Sequence, residues 1–222
     1  MAMDQANIVG RRLVDLVHRE ASAPANLLAT LSENWSPDCL RLQLSSDDSA
    51  VVEAAAQALG LIGSMADVPT LAKCLHHDEA GVPRAVEQAM WSIFFRAGGD
   101  LAQAVLSRIA ASIGKSDTEN VIPLLTELIR THPTYAEAYH QRAQTHFLAD
   151  RYDPGLRDAK RAVRLNPHHF EAVALQGHCL GALGRWADAV QHYQAALRIN
   201  PRMTAVRRAM RGVRTRSAAT TR

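Results

Sequence analysis

The chain has 222 residues, 47% of them hydrophobic, 21% charged and only 5% aromatic; this composition excludes a disordered polymer and favours a helical globular protein, since Ala and Leu dominate it. No stretch approaches the ~18 consecutive apolar residues of a membrane span. Residues 1–115 hold 9 Lys and Arg against 13 Asp and Glu, a net of −4, whereas residues 116–222 hold 16 against 9, a net of +7. Seven arginines and no acid fall in 202–222, so the basic charge belongs to the end of the chain rather than to its body.

The first twenty residues, MAMDQANIVGRRLVDLVHRE, scatter charges among apolar positions and lack the uninterrupted apolar run of a signal peptide. Ile8, Val9, Leu13, Leu16 and Val17 predict one amphipathic helix, and Leu27, Leu28 and Leu31 a second. Ser36-Pro37 has the form of an N-cap followed by Pro at the first helical position. Three cysteines, Cys39, Cys74 and Cys179, are few, odd in number and far apart, which argues against a disulfide framework and for a reducing, cytoplasmic setting.

Residues 47–63, DDSAVVEAAAQALGLIG, align with 78–94, DEAGVPRAVEQAMWSIF, at an offset of 31. Asp47 matches Asp78, Val51 matches Val82, and Ala54, Ala58 and Ile62 match Ala85, Ala89 and Ile93. Upstream, Leu40 and Leu44 match Leu71 and Leu75. Each unit reads as a helix, an Asp-rich turn and an Ala-rich helix. This pattern resembles HEAT repeats, especially the short kind of bacterial proteins and phycobilisome lyases. The family commonly places an Arg after the Val that follows the turn; Val52 and Pro83 hold those positions here, with Arg84 one residue late.

Gly98-Gly99-Asp100 marks the break that follows. Leu101, Val105, Leu106, Ile109 and Ile113 then predict a helix, and VIPLLTELIRTHP at 121–133 another, preceded by capping-box spacing at 116–119. Pro133, Pro167 and Pro201 recur every 34 residues, and 136–167 aligns with 170–201 without gaps. Ala143 and Gly177 are small at one position, Gly155 and Ala189 at a second, Ala162 and Ala196 at a third; Tyr139, Tyr152, Leu156, Trp186 and Tyr193 are bulky between them. These features resemble the tetratricopeptide repeat, a helix–turn–helix unit. The resemblance implies that small residues mark helix crossings, that each Pro closes a second helix, and that first helices line a concave groove. In that register the inward positions are Glu137, His140, Gln144 and Phe147 in one repeat and Glu171, Ala174 and His178 in the next. Some adaptors of this family clamp the C-terminal carboxylate of chaperone tails with Lys, Arg and Asn; the clamp positions here hold His140, Gln144, Ala174 and His178, which do not support that clamp.

After Pro201, Met203, Val206, Met210 and Val213 form one apolar stripe, read as a capping helix for the last open face. Arg207, Arg211 and Arg214 form the opposite stripe with Arg208 beside it, and SAATTR is read as a disordered basic end.

Chemistry is sparse. GHCLG at 177–181 mimics the nucleophile elbow G-x-S-x-G with Cys for Ser, but that elbow requires a strand–turn–helix, and FEAVALQ before it continues one helix. His76-His77 and His168-His169 are adjacent pairs that share no helix face, and neither haem nor phosphate-loop spacing is present. The sequence therefore predicts an all-α helical-repeat solenoid: HEAT-like repeats at 1–98, a junction and degenerate tetratricopeptide-like pair at 99–135, two tetratricopeptide units at 136–201, a capping helix at 202–214 and a basic tail at 215–222. It predicts a non-catalytic adaptor or scaffold with no cofactor and no metal, binding a protein or peptide in the groove. The alternative is a nucleic-acid-associated factor that uses the Arg-rich end.

Overall fold

The computed structural model describes residues 2–20, 22–112 and 118–220. Among them are thirteen helices and no strand, an all-α helical-repeat fold. The helices divide between two units, Met1–Ala97 and Gly98–Arg222.

The first unit contains α1 (Ala2–Arg19), α2 (Pro24–Asn34), α3 (Pro37–Gln43), α4 (Ser49–Ile62), α5 (Val68–Cys74) and α6 (Gly81–Arg96). Its centre is α4, which packs against α1, α2, α3 and α6. That is why α4 is Ala-rich on more than one face: Val51, Val52, Ala54, Ala55, Ala56, Ala58 and Leu59 are all buried. At the α4–α6 crossing a Cβ on Gly60 would lie 3.0 Å from the Ala89 Cα, so the two backbones nearly touch. Ser36 caps α3 by accepting from the Cys39 N–H (3.2 Å), as the sequence suggests. Val52 and Pro83 are buried and Arg84 is exposed. The buried charge of this unit is placed elsewhere: Asp67, fully enclosed, accepts from the Ser64 N–H (2.7 Å) and pairs with Arg41. Arg96 donates to the carbonyls of Gly60 and Gly63 (2.9 Å to the latter), closing the C-terminal end of α4 with a cation. Two expected core positions lie outside the core: Ile8 is 51% exposed and Leu28 is 43% exposed. Leu13 and Leu31 on the same helices already fill the face toward the unit's interior.

The second unit contains α7 (Gly99–Ser112), α8 (Thr118–Thr131), α9 (Ala136–Leu148), α10 (Tyr152–Leu165), α11 (Phe170–Ala182), α12 (Trp186–Ile199) and α13 (Thr204–Thr220). The two full repeats, α9–α10 and α11–α12, are built by the same local devices. Inside each, the first helix ends in a Schellman motif. The residue after it is left-handed, Asp150 at φ 56° in one repeat and Gly184 at φ 76° in the other. The 6→1 bonds run from the Arg151 N–H to the His146 carbonyl and from the Arg185 N–H to the Leu180 carbonyl, both 2.9 Å. Each second helix ends at an Asn before Pro. Asn166 and Asn200 donate back to Ala162 and Ala196 (2.8 and 2.9 Å), and their side chains accept from the His168 and Arg202 N–H groups (3.1 and 3.0 Å). The end of α8 repeats the first half of that pattern, His132 N–H to the Leu128 carbonyl at 2.8 Å.

The small residues sit at the crossings, with roles exchanged between repeats. A Cβ on Gly155 would lie 3.1 Å from the Ala143 carbonyl, and one on Gly177 would lie 3.2 Å from the Ala189 carbonyl. Arg142 on α9 joins three helices: it holds Asp158 of α10 through two bonds (2.7 and 2.8 Å) and Thr126 of α8 through a third (3.0 Å).

Two expectations change here. Leu101, placed in the apolar stripe of α7, is 79% exposed; Ala102, Leu106 and Ile109 carry the buried face instead. The last helix also continues past 214 to Thr220. Val206 and Val213 are buried as expected, and Arg216 lies over the Trp186 ring (5.9 Å), so the added turn is held by a cation on an aromatic face rather than by an apolar residue. The capping-box residues 116 and 117, Ile113 and Arg222 lie outside the described residues.

Candidate functional site

Within the second unit, α9 touches α11 and α11 touches α13 directly, whereas α10 and α12 make at most marginal contact. First helices therefore form an inner layer and second helices an outer one, the arrangement that leaves a grooved inner face. Of the seven inward positions, Gln144 is exposed, and Phe147, Glu171 and His178 are half-buried. Glu137, His140 and Ala174 are buried, so they are not offered to a partner in this conformation. The reason is local. His169, the N-cap residue of α11, lies over α9: its ring is 4.4 Å from that of His140, and its Nε2 is 2.9 Å from Glu137 Oε2. Ala174 packs with Val173 and Leu175 in the core.

Glu137, His140 and His169 thus form a closed polar cluster. Glu137 Oε1 also meets His140 Nδ1 at 3.3 Å and accepts from Gln141 Nε2 at 2.6 Å. Burial works against a charged Glu137, but the hydrogen bonds and positive charge of the two histidines overcome it and hold the carboxyl far below its usual range. For His140 the same burial is outweighed by Glu137, with help from Glu171, and its pKa is raised. His169 moves the other way, lowered by burial and by His140, with Glu137 opposing. The cluster therefore favours a charged Glu137 carboxylate and a proton on His140, and disfavours a second charge on His169. Sequence reading dismissed His169 because its neighbour His168 shares no face with it; the true partners lie on the preceding repeat, 32 and 29 positions away. The i, i+3 spacing of Glu137 and His140 was the one visible signal.

Beside it the half-buried positions form an aromatic group. Phe147 stacks near Tyr152 (5.6 Å) and His178 (5.9 Å), and the Tyr193 hydroxyl meets His178 Nδ1 at 2.9 Å. Burial lowers the His178 pKa and so disfavours a positive charge on this ring. Cys179, next in sequence, is inside regular α11 and fully buried, and burial pushes its thiol up to about 12. A protonated thiol with no strand or strained turn before it lacks the features of a nucleophile elbow.

Residues 20–91 match the model of HEAT repeats, and residues 170–203 match that of the tetratricopeptide repeat. The chain thus carries a HEAT-repeat segment and a tetratricopeptide repeat. It is 31% identical over 88 residues to the small glutamine-rich tetratricopeptide repeat-containing protein 2 of Saccharomyces cerevisiae, a match covering 40% of this chain and 25% of that protein. It is 29% identical over 86 residues to the SGT1 homolog of Bos taurus, covering 39% and 25%. The chain thus spans about a quarter of the length of these relatives. Among solved structures, the first tetratricopeptide domain of Spaghetti (RPAP3), bound to the HSP90 peptide SRMEEVD, superposes with TM-score 0.50 at 18% identity over 52% of this chain and 91% of that one. The Sgt2 tetratricopeptide domain of Aspergillus fumigatus superposes with TM-score 0.51 at 15% identity over 53% and 80%. Both share the fold. No helix among the described residues of this chain is long and apolar enough to cross a membrane.

Proposed function

We propose that the second unit is a non-catalytic protein-interaction module whose inner face takes up a peptide segment of a partner protein. The observation that carries the reading is the half-buried pair Phe147 and His178, on adjacent first helices, with exposed Gln144 and half-buried Glu171 on the same face. An aromatic ring left partly open beside a few polar groups suits a short segment with one apolar anchor. The RPAP3 domain with its bound HSP90 peptide gives the precedent for a ligand on this fold. Among the described residues, the inner positions that would hold a terminal carboxylate offer no exposed cation: His140 and Ala174 are buried, and burial disfavours the charged form of His178. The ligand is therefore an internal or hydrophobic segment rather than an acidic C-terminal tail.

The test is a peptide-array screen of the purified full chain, followed by titration of the best binders. Phe147→Ala and Gln144→Arg should each weaken binding at least tenfold, with unchanged helicity by circular dichroism. Binders whose affinity ignores both substitutions, or that prefer an acidic C-terminus, would refute this site.

A further inference from the structure

We propose that Glu137, His140 and His169 form a structural site for a first-row divalent metal ion of the zinc class, which staples the two tetratricopeptide repeats together. The ligand atoms come from two different repeats, His140 and Glu137 from α9 and His169 from the residue that caps α11. One carboxylate oxygen and two imidazole nitrogens all lie within 4.8 Å of one another. The His169 Nε2–Oε2 separation of 2.9 Å and the His140 Nδ1–Oε1 separation of 3.3 Å run to the two oxygens of the Glu137 carboxylate, and each approaches the edge of a tetrahedron with metal–ligand bonds of ~2.0–2.2 Å. Two imidazoles with one carboxylate is a donor set that zinc takes and that hard cations such as Mg²⁺ or Ca²⁺ do not favour.

The orientation of the donors is already fixed. Gln141 anchors one oxygen of Glu137 (2.6 Å), which leaves the other facing His169. The His140 and His169 rings lie 4.4 Å apart, tilted at 53° to each other, so each limits the turning of the other. Glu171 is the only other acid on α9 or α11; it is half-buried and its charge acts on His140, so it stands where a further ligand or an entering cation would be met.

The proton balance closes. Without metal, His169 Nδ1 accepts a long 3.3 Å bond from the Ala172 N–H, and its Nε2–H is directed at Glu137. When the ion enters, the His169 proton moves from Nε2 to Nδ1, the cap bond to Ala172 is given up, and Nε2 becomes a ligand. A proton on His140 Nδ1 passes to Nε2 of the same ring where that nitrogen is bare, and to solvent where it is not. No redox step is involved. Because the site is enclosed, loading is expected chiefly during folding.

The experiment strips the full chain with chelator, then refolds it with either zinc or cobalt(II), alongside addition of each metal to the folded protein. The expected result is one equivalent of zinc retained through gel filtration, a raised melting temperature, and the visible absorption of four-coordinate cobalt. His140→Ala, His169→Ala and Glu137→Gln should each reduce retention at least tenfold, while His76→Ala/His77→Ala should leave it unchanged. Should a cluster variant fail to fold, the ring resonances of His140 and His169 in the wild-type protein locate the ion: they shift with zinc if the assignment holds. Wild-type protein refolded in zinc that retains no stoichiometric metal overturns the proposal. So does retention undiminished in folded cluster variants, or histidine shifts confined to other residues.

Discussion

At Gly177 a Cβ would lie 2.7 Å from the Tyr193 ring. The same position one repeat earlier is Ala143, which tolerates its Cβ because the residue 34 before Tyr193 is Ala159. Glycine at 177 is therefore matched to one particular aromatic, not to the repeat fold in general. Gly177→Ala should cost on the order of ~1–3 kcal/mol as overpacking. Tyr193→Ala should cost ~3–5 kcal/mol through lost burial. The two should not add: in a Tyr193→Ala background Gly177→Ala should be at least ~1 kcal/mol less damaging, since the pair then becomes that of the first repeat. Urea denaturation of the four proteins in the cycle measures this, and strict additivity would remove the ring contact as the explanation. Cys179 allows a simpler check. Its buried, protonated thiol should resist iodoacetamide in the folded protein and react fully once unfolded; labelling of the native protein at Cys179 would reopen the question of a nucleophile.

Beside the apolar core, a few directed side chains join the helices of this unit, and Arg142 is the clearest. Its fork satisfies both oxygens of Asp158 and still reaches Thr126. Arg142→Ala should destabilise by ~1.5–3 kcal/mol, the range for hydrogen bonds to a charged group. Arg142→Lys should recover only part of this, because an ammonium cannot reproduce the planar two-point contact; full recovery in a melting experiment would mean that only the charge matters. The 34-residue spacing of Pro133, Pro167 and Pro201 and the small residues at crossings were readable because each serves a local, repeated need: stopping a helix, or letting two backbones approach. Leu101 misled for the opposite reason. Periodicity says that an apolar residue lies near a stripe, not whether a neighbouring helix covers it. The groove register likewise fixes direction but not depth, so Glu137 and His140 read as surface until the cap of the next helix closes over them. Arg142–Asp158 and Arg41–Asp67 left no signal, since nothing in a one-dimensional pattern marks which of many charges will meet.

For the molecule as a whole, acidity is a sensitive variable. His146, His178 and His192 all have lowered pKa values in the fold, burial being the leading cause for each. A histidine lowered in the fold is protonated more readily in the unfolded chain. It therefore contributes stability above the ordinary histidine value, and that stability is lost as pH falls through about 6.5. His140 and His169 shift in opposite directions. The melting temperature should fall steadily between about pH 7.5 and 5.5, and His178→Phe should flatten the fall; a profile that rises on acidification would contradict these shifts. The Arg stripe of α13 is exposed at Arg207, Arg208, Arg211 and Arg214. Replacing all four by Gln should leave peptide uptake by the inner face intact. Association with nucleic acid should be micromolar or weaker near physiological salt, steeply salt-dependent and reduced by the same change. Tight binding of one sequence that survives such salt and vanishes with the four arginines would move function to this helix.

The exchange of small residues between the repeats also bears on how the chain avoids misfolding. Tandem copies of one unit invite mispairing, in which a first helix closes on the second helix of the next copy, within a chain or between two chains. Here α9 on α12 would drive the Ala143 methyl into the space that Tyr193 occupies beside Gly177. The reciprocal mistake, α11 taking the place of α9 against α10, would leave Gly177 facing Ala159 across a void. Both errors carry a steric or packing penalty that the correct pairs avoid, so divergence between repeats discourages slippage by one unit and helix exchange between neighbouring molecules.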